Sequence, residues 1–71
     1  MKYLVIIEKG PSSYGGYVPD LPGCVAVGAT KREVKSLIRE AIRLHLKDMR
    51  ERGEPIPKPN AASKMIQLEP V

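Results

Sequence analysis

Seventy-one residues carrying a net charge of +4, with one cysteine and one histidine, make a single small domain, residues 1–71, near the lower size limit for folding without staples. Cys24 has no second cysteine to bridge and only His45 to join it as a soft ligand, so a disulfide within the chain and a structural zinc site are both excluded. Additional buried area is then expected from self-association as a homodimer or tetramer. With neither a basic-then-apolar leader nor a membrane-length apolar run, a cytoplasmic protein needing no cofactor is the expectation.

Tyr3-Leu4-Val5-Ile6-Ile7 is a short apolar run rich in β-branched residues, ended by Glu8-Lys9-Gly10-Pro11, and its length predicts a strand. Alternation places Tyr3, Val5 and Ile7 on one face and Leu4 and Ile6 on the other. Both faces are apolar; a helix can cover one, and the other needs a partner. Gly10-Pro11-Ser12-Ser13 is turn chemistry, and Tyr14-Gly15-Gly16-Tyr17-Val18 reads as a second strand. Its paired glycines suit either a bulge or a close approach by another part of the chain.

Between this strand and the next lies Pro19-Asp20-Leu21-Pro22-Gly23-Cys24. Each proline fixes φ and restrains its predecessor to extended geometry, while Gly23 admits a backbone angle that a side chain would oppose. A rigid corner is predicted. Cys24-Val25-Ala26-Val27 follows as a third strand closed by Gly28, giving an antiparallel meander. Thr30 and Glu33 have the spacing of a capping box, and Val34, Leu37, Ile38, Ala41, Ile42, His45 and Met49 then recur on one helical face. Gly53 and Pro55 stop the helix, predicted over about residues 31–52. Pro55, Pro57 and Pro59 form an extended connector, and the alternating Met65-Ile66-Gln67-Leu68-Glu69 predicts a last strand. The order is β-β-β-α-β, an α+β domain with one long helix on a small, mostly antiparallel sheet.

The corner Pro19-Asp20-Leu21-Pro22-Gly23-Cys24 resembles the signature of HicB-like antitoxins. The apolar first strand, the Gly-x-Thr helix start at Gly28-Ala29-Thr30, and Ile56-Pro57-Lys58-Pro59 after the helix extend the resemblance over nearly the whole chain. It implies a partial ribonuclease-H-like fold, usually in dimers or larger assemblies. It also implies a non-enzymatic protein that binds and masks a small mRNA-cleaving toxin of the HicA type. Many family members continue into a ribbon-helix-helix or helix-turn-helix DNA-binding segment; this sequence reaches Val71 without one and reads as a short form.

Three sets of residues are candidates for chemistry. A vestigial ribonuclease-H-like nuclease would need several carboxylates converging on a divalent metal; Glu8, Asp20 and Glu69 lie on or beside the predicted strands, and their spacing does not bring them together. Asp20 reads instead as a turn aspartate bonded to backbone amides in the corner. Cys24 and His45 read as core residues, because no third group is evident to orient a thiolate pair. The helix segment 31–52 holds eight basic and four acidic residues, so the whole charge excess sits there. At about 100° per residue, Arg32, Arg39, Arg43, Lys47 and Arg50 align opposite Val34. That stripe suits a plain solvated face, or the binding of an acidic partner or a nucleic-acid backbone.

Overall fold

The computed structural model describes residues 1–70. Three strands, β1 (Ile6–Lys9), β2 (Tyr14–Tyr17) and β3 (Val25–Gly28), are followed by one helix, α1 (Lys31–Glu51). The strands form an antiparallel sheet in the order β1-β2-β3. Register is continuous: Ile7 faces Gly16 and Glu8 faces Gly15 across β1 and β2, and Gly16 faces Ala26 across β2 and β3. The two glycines therefore form no bulge. Gly16 is instead a point of close approach, since a Cβ there would lie 2.7 Å from Val34 Cγ1 and 3.2 Å from Ile38 Cγ1. The helix sits on β2 and β3 because the sheet has a missing side chain where its two most buried residues arrive.

The core consists of Val18, Leu21, Cys24, Val34 and Ile38, with Tyr3, Val5, Ile7, Tyr14, Ala26, Ala41, Ile42 and Leu46 packed around it. Two of its five members, Leu21 and Cys24, come from the proline corner, Val18 leads into it, and Leu21 is completely buried. The corner is thus both turn and plug. Val18 N–H donates to the Cys24 carbonyl at 3.2 Å, Leu21 N–H to Val18 at 3.0 Å, and Cys24 N–H to Leu21 at 3.1 Å. Gly23 completes the loop at φ +86°, in the left-handed region that favours glycine. Each such buried aliphatic side chain contributes roughly 1.5–3 kcal/mol.

The helix begins as its sequence dictates. Thr30 Oγ1 accepts from Glu33 N–H at 3.1 Å, satisfying one amide of the first turn. The reciprocal Glu33 bond does not occur among the described residues; the Glu33 side chain lies over Gly28 instead. At the other end Arg52 is the cap residue. Gly53, at φ +70°, donates to Arg50 O at 3.1 Å while Glu54 donates to Met49 O at 2.9 Å, the paired bonds of a Schellman motif.

Three expectations are corrected. The first strand begins at Ile6 rather than Tyr3, because the proline corner ends β2 at Tyr17, the partner of Ile6, and leaves Tyr3-Leu4-Val5 without a neighbour in the sheet. His45, expected at the centre of the buried helix face, is only half-buried. Twenty-one helical residues extend about 31 Å, whereas a four-residue strand spans about 13 Å, so the later helix turns outrun the sheet. Finally, Met65–Glu69 pairs with no strand among the described residues. Met65 is 96% exposed, and Ile66 and Leu68 are also exposed, since a strand pattern without a ladder partner leaves its backbone to water. The α+β class, the meander and the single long helix are as expected.

Candidate protein-docking face and its flanks

Strand alternation divides the sheet into two faces. Ile7, Gly16 and Ala26 lie in one cross-strand row, together with Val5, Val18 and Cys24, beneath the helix. On the opposite face Ile6, Tyr17 and Val25 form a row across all three strands, and Glu8, Gly15 and Val27 form the next. Tyr17, Val25 (62% exposed) and Val27 (66% exposed) are open to solvent. Gly15 stands between Glu8 and Val27 with no side chain. Both outer strands of the sheet also keep a free edge. Uncovered apolar faces are a common feature of interaction surfaces.

The signature residues hold this face in shape. Pro19, Pro22 and Gly23 are exposed at the corner, while Leu21 and Cys24 point into the core. Burial pushes the Cys24 thiol up from its ordinary range, which keeps it protonated and poorly nucleophilic. The Asp20 carboxylate does accept from backbone amides, but from distant ones: Asn60 N–H at 3.1 Å and Ala61 N–H at 3.0 Å. The bonds expected within the corner are therefore made across 40 residues. Tyr3 adds a second tie, its phenol donating to the Pro57 carbonyl. The proline connector is consequently strapped across the ends of the strands, with β1 at one side and the corner at the other. No spacing rule could have paired Asp20 with Asn60 and Ala61, because the contact depends on where the helix delivers the chain.

Arg32, Arg39, Arg43, Lys47 and Arg50 are all exposed on α1. Arg43 is occupied by Glu40, with Nη2 2.9 Å from Oε1. The hydrogen bond to Arg43, reinforced by its charge, holds the Glu40 carboxyl below the ordinary glutamate range. Arg52 bridges Asp48 at 2.9 Å and Glu54 at 2.8 Å, outside the stripe. Arg39 instead borders an apolar groove between α1 and the start of the chain, floored by Tyr3, Val5, Ile7, Ile38 and Ile42. Among the described residues no three His, Cys, Asp or Glu side chains gather as a metal site, and no helix is long and apolar enough to cross a membrane.

Comparison with known proteins gives this geometry a context. Residues 3–70 match the family described as HicB_like antitoxin of bacterial toxin-antitoxin system. The UPF0150 protein Ta0767 of Thermoplasma acidophilum is 45% identical over 62 residues, covering 86% of this chain and 90% of that protein. An uncharacterized 14.9 kDa protein from the rep-hol intergenic region of Haemophilus phage HP1 is 39% identical over 66 residues, which is 93% of this chain and 50% of the phage protein. Among solved structures, a chain of the HicA3 and HicB3 toxin-antitoxin complex superposes with a TM-score of 0.70 at 30% identity, covering 84% of this chain and 70% of that chain. With a family match running through β1, the proline corner, the helix and the strapped connector, the chain belongs to the HicB-like antitoxins of toxin–antitoxin systems.

Proposed function

We propose that this protein acts without catalysis, binding a small mRNA-cleaving toxin of the HicA type and masking it by protein–protein contact. The observation that carries this reading is the apolar row Ile6-Tyr17-Val25, exposed at Tyr17 and Val25 and partly buried at Ile6, with exposed Val27 beside it, on the sheet face opposite the helix. Burying such a row contributes stabilisation at about 25 cal/mol per Å² of apolar surface removed from water. The corner and the strap keep the strands from rearranging, so little ordering cost is added on docking. The likeness to a chain of the HicA3 and HicB3 complex supports a toxin of that class as the occupant.

The test is co-production with a HicA-type toxin from the same genome, followed by affinity capture and a growth assay. The expected result is a stable complex and restored growth, both lost in the double variant Val25→Asp, Val27→Asp, whose helical circular dichroism stays unchanged because both side chains are exposed. Capture that survives this variant, or that fails instead on charge reversal at Arg39 and Arg43, overturns the sheet-face reading and transfers the function to the helix stripe. A steep fall of affinity with salt would accompany that second result.

A further inference from the structure

Two segments of this chain have strand character and no strand partner. Tyr3-Leu4-Val5 runs past the end of β2, and its backbone groups make no backbone hydrogen bond among the described residues. Met65-Ile66-Gln67-Leu68-Glu69 alternates as a strand should and lies in solvent. We propose that they are partners in trans: Met65–Glu69 adds as a fourth strand to Lys2–Ile6 of a second copy, and the second copy reciprocates.

The geometry of the chain argues against pairing within one molecule. The connector passes Tyr3 at Pro57, then continues to the corner, where Asp20 holds Asn60 and Ala61. It is moving away from β1 when it is released. Only Ala62, Ser63 and Lys64 separate the last tie from the tail, and none is a glycine or proline to turn it back.

The groove beside β1 has the chemistry to receive the tail. Its floor is apolar, and Lys2, Lys35 and Arg39 stand around it. An antiparallel strand with Glu69 opposite Lys2 sets Leu68 opposite Tyr3, Ile66 opposite Val5 and Met65 opposite Ile6. Alternation then turns Ile66 and Leu68 towards the helix, into the groove, and leaves Met65, Gln67 and Glu69 on the outer side with Ile6, Leu4 and Lys2. The register thus matches apolar to apolar on the groove face and at Met65 with Ile6, and places one opposite-charge pair at its end. It also supplies the backbone of Tyr3–Val5 with its missing ladder.

Mixing the full-length single variants Leu4→Cys and Gln67→Cys under mild oxidation tests the pairing directly. Residues opposed in an antiparallel ladder have Cα atoms about 4.5–5.5 Å apart, within disulfide reach, so a covalent two-chain product joined through these two positions is expected. In parallel, Ile66→Asp with Leu68→Asp should halve the mass seen by light scattering without changing the helical signal. Lys2→Glu should weaken dimerisation several-fold, and adding Glu69→Lys should restore it. An absent cross-link in the mixture, a double-cysteine chain that closes only on itself, or a dimer that survives the two aspartates overturns the proposal. The inference is independent of the toxin reading, because the sheet-face variant at Val25 and Val27 leaves this register untouched.

Discussion

Adding a single methyl group at Gly16 tests how the helix is seated. The Cβ of Gly16→Ala would stand 2.7 Å from Val34 Cγ1, about 1 Å inside ordinary carbon–carbon contact. Val34 is fully buried, and a β-branched side chain in a helix is confined to essentially one rotamer. It cannot swing clear, so α1 must lift from the sheet over its buried residues. Overpacking of this kind costs about 1–3 kcal/mol. Losing glycine's freedom in the unfolded chain returns about 0.4–1 kcal/mol, leaving a net loss of about 1–2 kcal/mol. Urea unfolding followed by circular dichroism, at one fixed protein concentration because association shifts apparent stability, measures it. The decisive reading is the double-mutant cycle with Val34→Ala. Removing the opposing methyl groups should make Gly16→Ala much less harmful, giving a favourable coupling of about 1 kcal/mol. A neutral Gly16→Ala, or losses that simply add, would refute the claim that the missing side chain sets the helix-to-sheet distance.

The strap and the helix surface give two further outcomes. Asp20→Ala should speed hydrogen exchange at the Asn60 and Ala61 amides at least several-fold and reduce stability by about 1–2 kcal/mol, since bonds to a charged acceptor exceed neutral ones; unchanged exchange at both amides would contradict the tie. The Glu40 carboxyl titrates below its ordinary range in the folded protein, so its contribution is present above the unfolded-state pKa and lost as pH falls through the lower folded value. Glu40→Gln should therefore lower stability slightly at neutral pH, where the pair with Arg43 is formed, and flatten the acid limb because wild type and variant converge once Glu40 is protonated; an acid limb of identical slope would count against the pairing with Arg43.

Local chemistry specified the helix ends and the turns. Thr30, Gly53 and Pro55 delimit the helix, the hydrophobic spacing from Val34 to Met49 orients it, and the prolines of the corner force a turn whatever surrounds them. These signals act over a few residues, through dihedral limits and orphan amides, and so can be read in one dimension. The opposing apolar faces of β1 were legible for the same reason, because alternation in a strand has a fixed period of two.

Other features depend on where distant pieces of chain meet. That Leu21 plugs the core, that Gly16 makes room for Val34, and that Asp20 grips amides forty positions away all follow from the helix crossing β2 and β3 and returning the connector across the strand ends. Alternation in residues 65–69 showed the capacity to be a strand, but capacity requires a neighbour, and the strap carries that segment away from its own sheet. Side-chain pattern decides which way a residue faces; the long-range path of the backbone decides what it meets there.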